Sequence, residues 1–191
     1  MKTLKIFAAS IVAATALFSF RSGGEWIMVA ADNCKIYFPQ RPVDQMGTVA
    51  TDKGELKVNI YSYKAAAKAK DENLAYVLSV TQYPDSVILL ENQDQTEAFF
   101  KNSVDGIVNN YHGKLLSQSN TTIQGFPGRQ VKLDLQQGGA IMNIRFYLVK
   151  NTMYMLETIT TAVKDPNNSM KRFMNSFEIT HSGDSNQVGQ R

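Results

Sequence analysis

Residue types that carry most enzymatic chemistry are sparse in this chain of 191 residues. It contains two histidines, His112 and His181, and one cysteine, Cys34. Neither histidine lies at a metal-site spacing from cysteine or carboxylate residues, and GxSxG, HExxH and phosphate-binding glycine motifs do not occur. We therefore expect no catalytic residue, no cofactor and no metal. A hydrolase in which the fold brings Asp134, Glu157 and His112 together is the catalytic alternative.

A charged pair on two neighbouring predicted strands is the first binding candidate. Arg145 and Glu157 lie in apolar stretches joined at residues 150–152. Pairing that is symmetric about Asn151 would place the two side chains opposite each other. On a covered sheet face these charges would need to satisfy one another, either as a structural bridge or as the polar end of a pocket.

Tyrosine side chains form the second binding candidate. Tyr61 and Tyr63 share one face of a predicted strand, and Tyr83 and Tyr147 lie on other strands. One expectation is a tyrosine-lined patch at a sheet face or edge. The other is that the rings pack across strands beneath a helix.

The amino-terminal segment predicts export. Lys2 and Lys5 precede an apolar run at residues 6–20, which is the pattern of a secretory signal peptide. We expect residues 1–24 to contain this signal, with the cleavage position left open. The run is shorter than the roughly 20 residues of a membrane span, so we expect a periplasmic or extracellular protein without stable membrane insertion after processing. An uncleaved anchor is the alternative.

The charge distribution argues against nucleic-acid binding. The formal charge of +3 equals the contribution of Lys2, Lys5 and Arg21, and the rest of the chain is neutral. Nucleic-acid binders instead concentrate basic residues on one face. A single cysteine forms no intramolecular disulfide, and Cys34 alternates with apolar residues as a buried strand residue does.

Hydrophobic periodicity predicts an α+β domain with a mainly antiparallel sheet. A stripe with spacings of three and four residues predicts a long helix over 95–111. Asp165 and Pro166 predict the start of a short second helix. Residues 181–191 are expected to form a flexible tail. Strands are predicted at 34–38, 46–51, 54–63, 74–83, 114–123, 128–136, 140–150, 152–163 and 177–180.

Several packing and turn motifs follow one another in an order typical of one family. They are IYFP at 36–39, AYV at 75–77 leading to YP at 83–84, GFPG at 125–128, RFYLV at 145–149 with MYML at 153–156, and FMNSF at 173–177. Together they resemble the PsbP-like domain family over about residues 33–180. The resemblance implies one domain, an α/β/α sandwich around an antiparallel sheet, and a role in binding or assembly.

These observations lead to three functional expectations. The first is a non-catalytic, exported binding or assembly-assisting domain of the bacterial cell envelope, whose partner is a protein or a small ligand. The second is a periplasmic small-ligand or lipid-binding protein with an apolar cleft between helix and sheet. The third is the hydrolase named above. We expect no nucleic-acid partner.

Overall fold

The computed structural model describes most of the chain between residues 26 and 180. The described stretches are 26–51, 54–67, 69–84, 93–135 and 137–180. The predicted signal peptide and the predicted tail at 181–191 lie outside the described residues.

Ten strands and two α-helices are present in the described stretches. The helices are α1 (Gln93–Tyr111) and α2 (Asn168–Asn175). The predicted strands and helices are all found, with ends displaced by a few residues. The strands are β1 (Ile27–Ala31), β2 (Cys34–Phe38), β3 (Val43–Thr51), β4 (Gly54–Lys64), β5 (Ala75–Gln82), β6 (Lys114–Ile123), β7 (Phe126–Asp134), β8 (Ala140–Val149), β9 (Thr152–Thr161) and β10 (Glu178–Ile179).

The strands form a large sheet and a small one. The large sheet has seven strands in the order β3-β4-β5-β9-β8-β7-β6, and every neighbouring pair is antiparallel. The small sheet has the order β1-β2-β10. The sequence did not predict β1, which pairs with β2 from Ile27 to Ala31. The folded domain therefore begins before the predicted boundary at residue 33.

The large sheet has a separate apolar core on each face. On the face that carries Met155, the core includes Phe100 and Ile107 of α1, and we call it the α1 face. On the face that carries Leu156, the core includes Phe173 of α2 and residues of the small sheet, and we call it the α2 face. Alternate residues of the inner strands therefore enter different cores.

A polar network fixes the start of α2 against the segment that precedes β5. The side chain of Asn167 accepts a hydrogen bond from the backbone N–H of Met170 at 2.7 Å and caps the helix. The Asn167 amide also donates to the side chain of Asn73 at 2.8 Å. The cap therefore lies two residues beyond the predicted cap, Asp165, and Pro166 precedes the helix. Asp165 instead accepts hydrogen bonds from side chains on β7 and β8.

The turn between β1 and β2 attaches the small sheet to the large one. The Asp32 carboxylate accepts hydrogen bonds from the side chains of Asn59 at 2.8 Å and Tyr61 at 2.9 Å. Its backbone carbonyl accepts another from the Tyr154 hydroxyl at 2.7 Å. Cys34 follows this turn as the buried strand residue that the sequence predicts, and burial raises the pKa of its thiol to about 12.

Gly128 on β7 occupies a position where a side chain does not fit. A Cβ atom there would overlap the backbone oxygen of Phe146 and would lie 2.5 Å from a ring carbon of Tyr147. We expect Gly128→Ala to lower the free energy of unfolding by about 2 kcal/mol, because a backbone atom of a central strand cannot move aside. Urea unfolding measures this change.

Gly47 on β3 provides the matched control. Its Cβ position has no neighbouring atom within 4 Å, so Gly47→Ala should leave the stability unchanged or raise it by up to about 1 kcal/mol. Equal destabilisation by the two substitutions would show that β8 leaves room for a Cβ atom at Gly128.

Candidate functional site

The structure separates the two members of the predicted charged pair. Arg145 lies opposite Leu156, and Glu157 lies opposite Ile144. The predicted pairing about Asn151 is therefore wrong by one residue. Because successive strand residues point to opposite faces, Arg145 lies on the α2 face and Glu157 on the α1 face.

The length of the β8–β9 turn explains this difference. Val149 pairs with Thr152, so the turn contains two residues, Lys150 and Asn151. Lys150 has a φ of 55°, which places it in the left-handed region. The carbonyl of Asn151 accepts a hydrogen bond from the backbone N–H of Tyr83 at 2.8 Å. This contact holds the turn against the end of β5.

Arg145 joins β7 to the end of α2. Its Nε donates to the side-chain oxygen of Gln130 at 2.9 Å, and a terminal nitrogen donates to that of Asn175 at 2.8 Å. Both hydrogen-bond partners are uncharged, and the contacts are exposed to solvent. Arg145 therefore links a strand to a helix through neutral hydrogen bonds.

Tyr61 and Tyr63 lie together on the α2 face, beside the small sheet and Tyr76. Tyr61 donates to Asp32, and burial, with a further contribution from Asp32, raises the pKa of its hydroxyl. The ring of Tyr63 stacks on Tyr76 with 6.0 Å between ring centroids, and burial also raises its pKa. These contacts correspond to packing across strands, and binding by either tyrosine stays a prediction.

The four predicted tyrosines do not form one patch. Tyr83 lies on the α1 face, where its ring meets Phe99 edge-on with centroids 5.5 Å apart. Tyr147 lies on the opposite face and stacks on Phe177. The sheet therefore separates Tyr83 from Tyr147, Tyr61 and Tyr63.

Glu157 is a buried carboxyl group beneath the last turn of α1. Only 7% of the residue is exposed, and its neighbours across the strands are Val77 and Ile144. The hydroxyl of Tyr111 donates a hydrogen bond to Oε2 at 3.1 Å. Burial raises the pKa of Glu157 to about 7, and the Tyr111 hydrogen bond acts in the opposite direction. The group is therefore poised to change charge near neutral pH.

Beside Glu157, the α1 face of β4 and β5 is only partly covered. Residues of β7, β8 and β9 beneath α1 are almost all fully buried. On β4 and β5, Leu56 and Thr81 on the same face are also buried, but five other residues there form a half-buried group. We call this second group the open strip; it consists of Val58, Ile60, Ser62, Val77 and Ser79.

The dimensions of a helix explain why the strip is open. Seven strands spaced by about 4.8 Å span about 29 Å, whereas one helix is only about 10 Å wide. The core residues show that α1 lies over β7, β8 and β9. The open strip is apolar with two hydroxyl groups, contains no charged residue, and borders Glu157 through Val77.

A shallow depression brings together His112 and Asp134, two of the three residues of the hydrolase alternative. It lies where α1 and β7 end, and Glu157 is not part of its lining. Instead, the Glu157 carboxyl lies beneath Tyr111. The depression is lined by His112, Lys114, Asp134, Leu135 and Gln137.

The described stretches contain neither a candidate metal site nor a helix that could span a membrane. No group of three or more histidine, cysteine, aspartate or glutamate residues there is arranged to hold a metal ion. Within the same stretches, neither helix has the length and apolar character required to cross a membrane.

Comparison with known proteins identifies a fold but no family. No family model matches the sequence, and no curated protein matches it. The solution structure of cyanobacterial PsbP from Synechocystis matches with a TM-score of 0.51 and 10% identity, over 85% of this chain and 98% of that one. The fold is PsbP-like. A crystal structure of a Pseudomonas aeruginosa protein of unknown function matches with a TM-score of 0.36 and 12% identity, over 75% and 88% of the two chains.

The open strip is not evident as a surface from the amino-acid sequence. Alternation along β4 shows that Leu56, Val58 and Ile60 share one face, but in the structure only Leu56 is fully buried. Periodicity indicates which face a side chain occupies. It does not show how far across the sheet a covering helix extends.

The raised pKa of Glu157 predicts a specific dependence of stability on pH. The folded state retains its proton up to about pH 7, whereas the ordinary pKa is 4.5. The contribution of Glu157 to the free energy of unfolding should therefore be largest below about pH 4.5 and fall by up to about 3 kcal/mol as the pH rises to 7. Glu157→Gln should remove this component and make the protein more stable than wild type at pH 8. Chemical denaturation across this pH range tests both effects.

Glu55 is the control for this measurement because it is an exposed carboxylate on β4. Glu55→Gln should leave the wild-type pH profile in place. A wild-type profile that matches that of Glu157→Gln would contradict a raised pKa at Glu157.

Proposed function

We propose that this chain is a non-catalytic binding or assembly-assisting domain of the bacterial cell envelope, and that its partner docks on the open strip. The proposal rests on a difference in solvent exposure between two parts of one sheet face. Ile144 and Leu148, beneath α1, are at most 2% exposed, whereas Ile60 and Val77 on the same face are half-buried. Partly exposed apolar residues grouped on a rigid sheet favour a docking role.

The proposed cellular location rests on the amino-terminal sequence. Lys2 and Lys5 followed by the apolar run at residues 6–20 match a secretory signal. We propose that the protein is exported and acts in the periplasm or outside the cell.

We also propose that the domain is a PsbP-like α/β/α sandwich, with helices on both faces of the antiparallel sheet. We propose further that it is an exported bacterial member of that family. Placement of α1 and α2 in the cores of opposite sheet faces supports this arrangement. The small sheet beside α2 is an additional component of one outer layer. The motif order at residues 36–39, 125–128 and 173–177 supports membership.

Small-ligand binding is the second candidate, and Glu157 favours it. A carboxyl group with a pKa near 7 borders the uncharged strip. When protonated it donates a hydrogen bond, and when ionised it only accepts them. Such a group beside Val77 suits an amphipathic ligand with one polar end and an apolar body.

Site-specific photo-crosslinking in the producing cells tests the proposal. A benzophenone amino acid replaces Ile60 in the open strip in one variant and Met46 in the other. Met46 is 82% exposed on the neighbouring strand and lies on the α2 face. We expect a crosslinked product of defined mass from position 60 and not from position 46. Ser62→Glu, which puts a charge into the strip, should reduce its yield at least tenfold.

The result from position 60 also distinguishes the two candidates. A protein adduct supports the assembly role. A low-molecular-mass adduct supports ligand binding if native mass spectra of the purified wild-type chain show the same extra mass. No adduct at position 60, or equal adducts at both positions, would reject the open strip as the binding surface. Unfolding measurements on each variant exclude loss of the fold as the cause.

A further inference from the structure

Strand β6 ends the large sheet and carries no strand on its outer side in the described part of the chain. It is ten residues long. Side chains at positions 116–120 are exposed whichever face they point to. Neither α1 nor α2 therefore covers this part of the strand, and its outer edge is open to another strand.

The register of the β6–β7 hairpin identifies the backbone groups that point outward. Ile123 pairs with Phe126 across a two-residue turn, and Thr122 pairs with Pro127, which has no N–H group. The pairs of an antiparallel ladder alternate between hydrogen-bonded and non-hydrogen-bonded. The N–H and C=O groups of Thr122, Asn120 and Gln118 therefore point away from β7.

Residues 117–123 of this edge lack the features that usually prevent strands from pairing between molecules. Natural edge strands are commonly short or carry charges, prolines or bulges. From residue 115 to residue 123, β6 contains no charged residue and no proline. A register irregularity occurs near its beginning, between Leu115 and Ser117, and leaves residues 117–123 regular. By comparison, β10 has two residues and β3 carries Asp44.

We propose that a second copy of this chain binds along β6, with the two β6 strands antiparallel and Asn120 at the two-fold axis. In this register Gln118 lies opposite Thr122 of the second copy, and the reverse pair is equivalent. The outward backbone groups of these residues form about six intermolecular hydrogen bonds. The large sheets of the two molecules then continue into one another.

Side-chain chemistry favours a second copy as the occupant. Ser119 lies opposite Thr121 of the other molecule, and the Asn120 side chains adjoin across the axis. Hydroxyl and amide groups both donate and accept hydrogen bonds, so like residues can pair. If the two-fold axis passed through Gln118 instead, the charged Lys114 would lie opposite Thr122. Fewer uncharged residues would then pair between the two strands. The isologous arrangement satisfies the symmetry of a closed dimer.

Cysteine cross-linking tests this register. Full-length chains with Asn120→Cys or Thr48→Cys are treated with a short bismaleimide. Thr48 is exposed on β3, the opposite edge strand of the sheet. The native Cys34 is buried. We expect a cross-linked dimer from Asn120→Cys, because facing residues of such a pair lie about 5.5 Å apart, and none from Thr48→Cys.

Charge substitution at the same position provides the second test. Sedimentation at up to about 100 µM protein should detect a wild-type dimer. Asn120→Lys should weaken it at least tenfold by placing like charges opposite each other, and an equimolar mixture with Asn120→Glu should restore association. Thr48→Lys should dimerise as the wild type does.

Three results would overturn the proposal. They are a wild-type chain that is monomeric at this concentration, a dimer that Asn120→Lys leaves unchanged, and equal cross-linking at positions 48 and 120. Three strands separate β6 from β5, the nearer strand of the open strip. These outcomes are therefore independent of the photo-crosslinking result at Ile60.

Discussion

The two-residue turn between β8 and β9 determines which side chains of the central strands face α1 and which face α2. Lys150 adopts a left-handed conformation, and Asn151 is held against Tyr83 by a backbone hydrogen bond. With this turn fixed, Met155 and Glu157 enter the α1 face, while Tyr154 and Leu156 enter the α2 face. A shift of one residue would exchange the two sets. Both cores, and the position of the buried carboxyl, depend on this register.

The two faces differ in how completely they are covered. On the α2 face, the small sheet and α2 together bury Tyr61, Tyr76 and Leu78, which lie on β4 and β5. On the α1 face, α1 is the one helix of the described stretches, and it covers only part of the sheet width. Glu157 lies at the border between the covered and the open parts. Burial raises the pKa of Glu157, whereas the neighbouring strip lies beyond the part of the sheet that α1 covers.

Hydrophobic periodicity was sufficient to predict most elements but not the contacts that place the candidate site. The spacing of Phe100, Val104 and Ile107 predicted α1, because a helix repeats every 3.6 residues. The relation between Arg145 and Glu157 was mispredicted, since it depends on whether the turn has two residues or three. The strand β1 was missed because its five residues, IMVAA, are all apolar and therefore show no alternation. Coverage of the open strip depends on helix position across the sheet, for which the sequence contains no local signal.

The solvent exposure of methyl groups shows directly whether the α1 face of the large sheet is closed beneath α1 and open on β4 and β5. In methyl-labelled protein, a soluble paramagnetic agent should broaden the signals of Ile60 and Val77 strongly and leave those of Ile144 and Leu148 almost unchanged. Equal protection of all four residues would contradict the account, because the strip would then be part of a closed core.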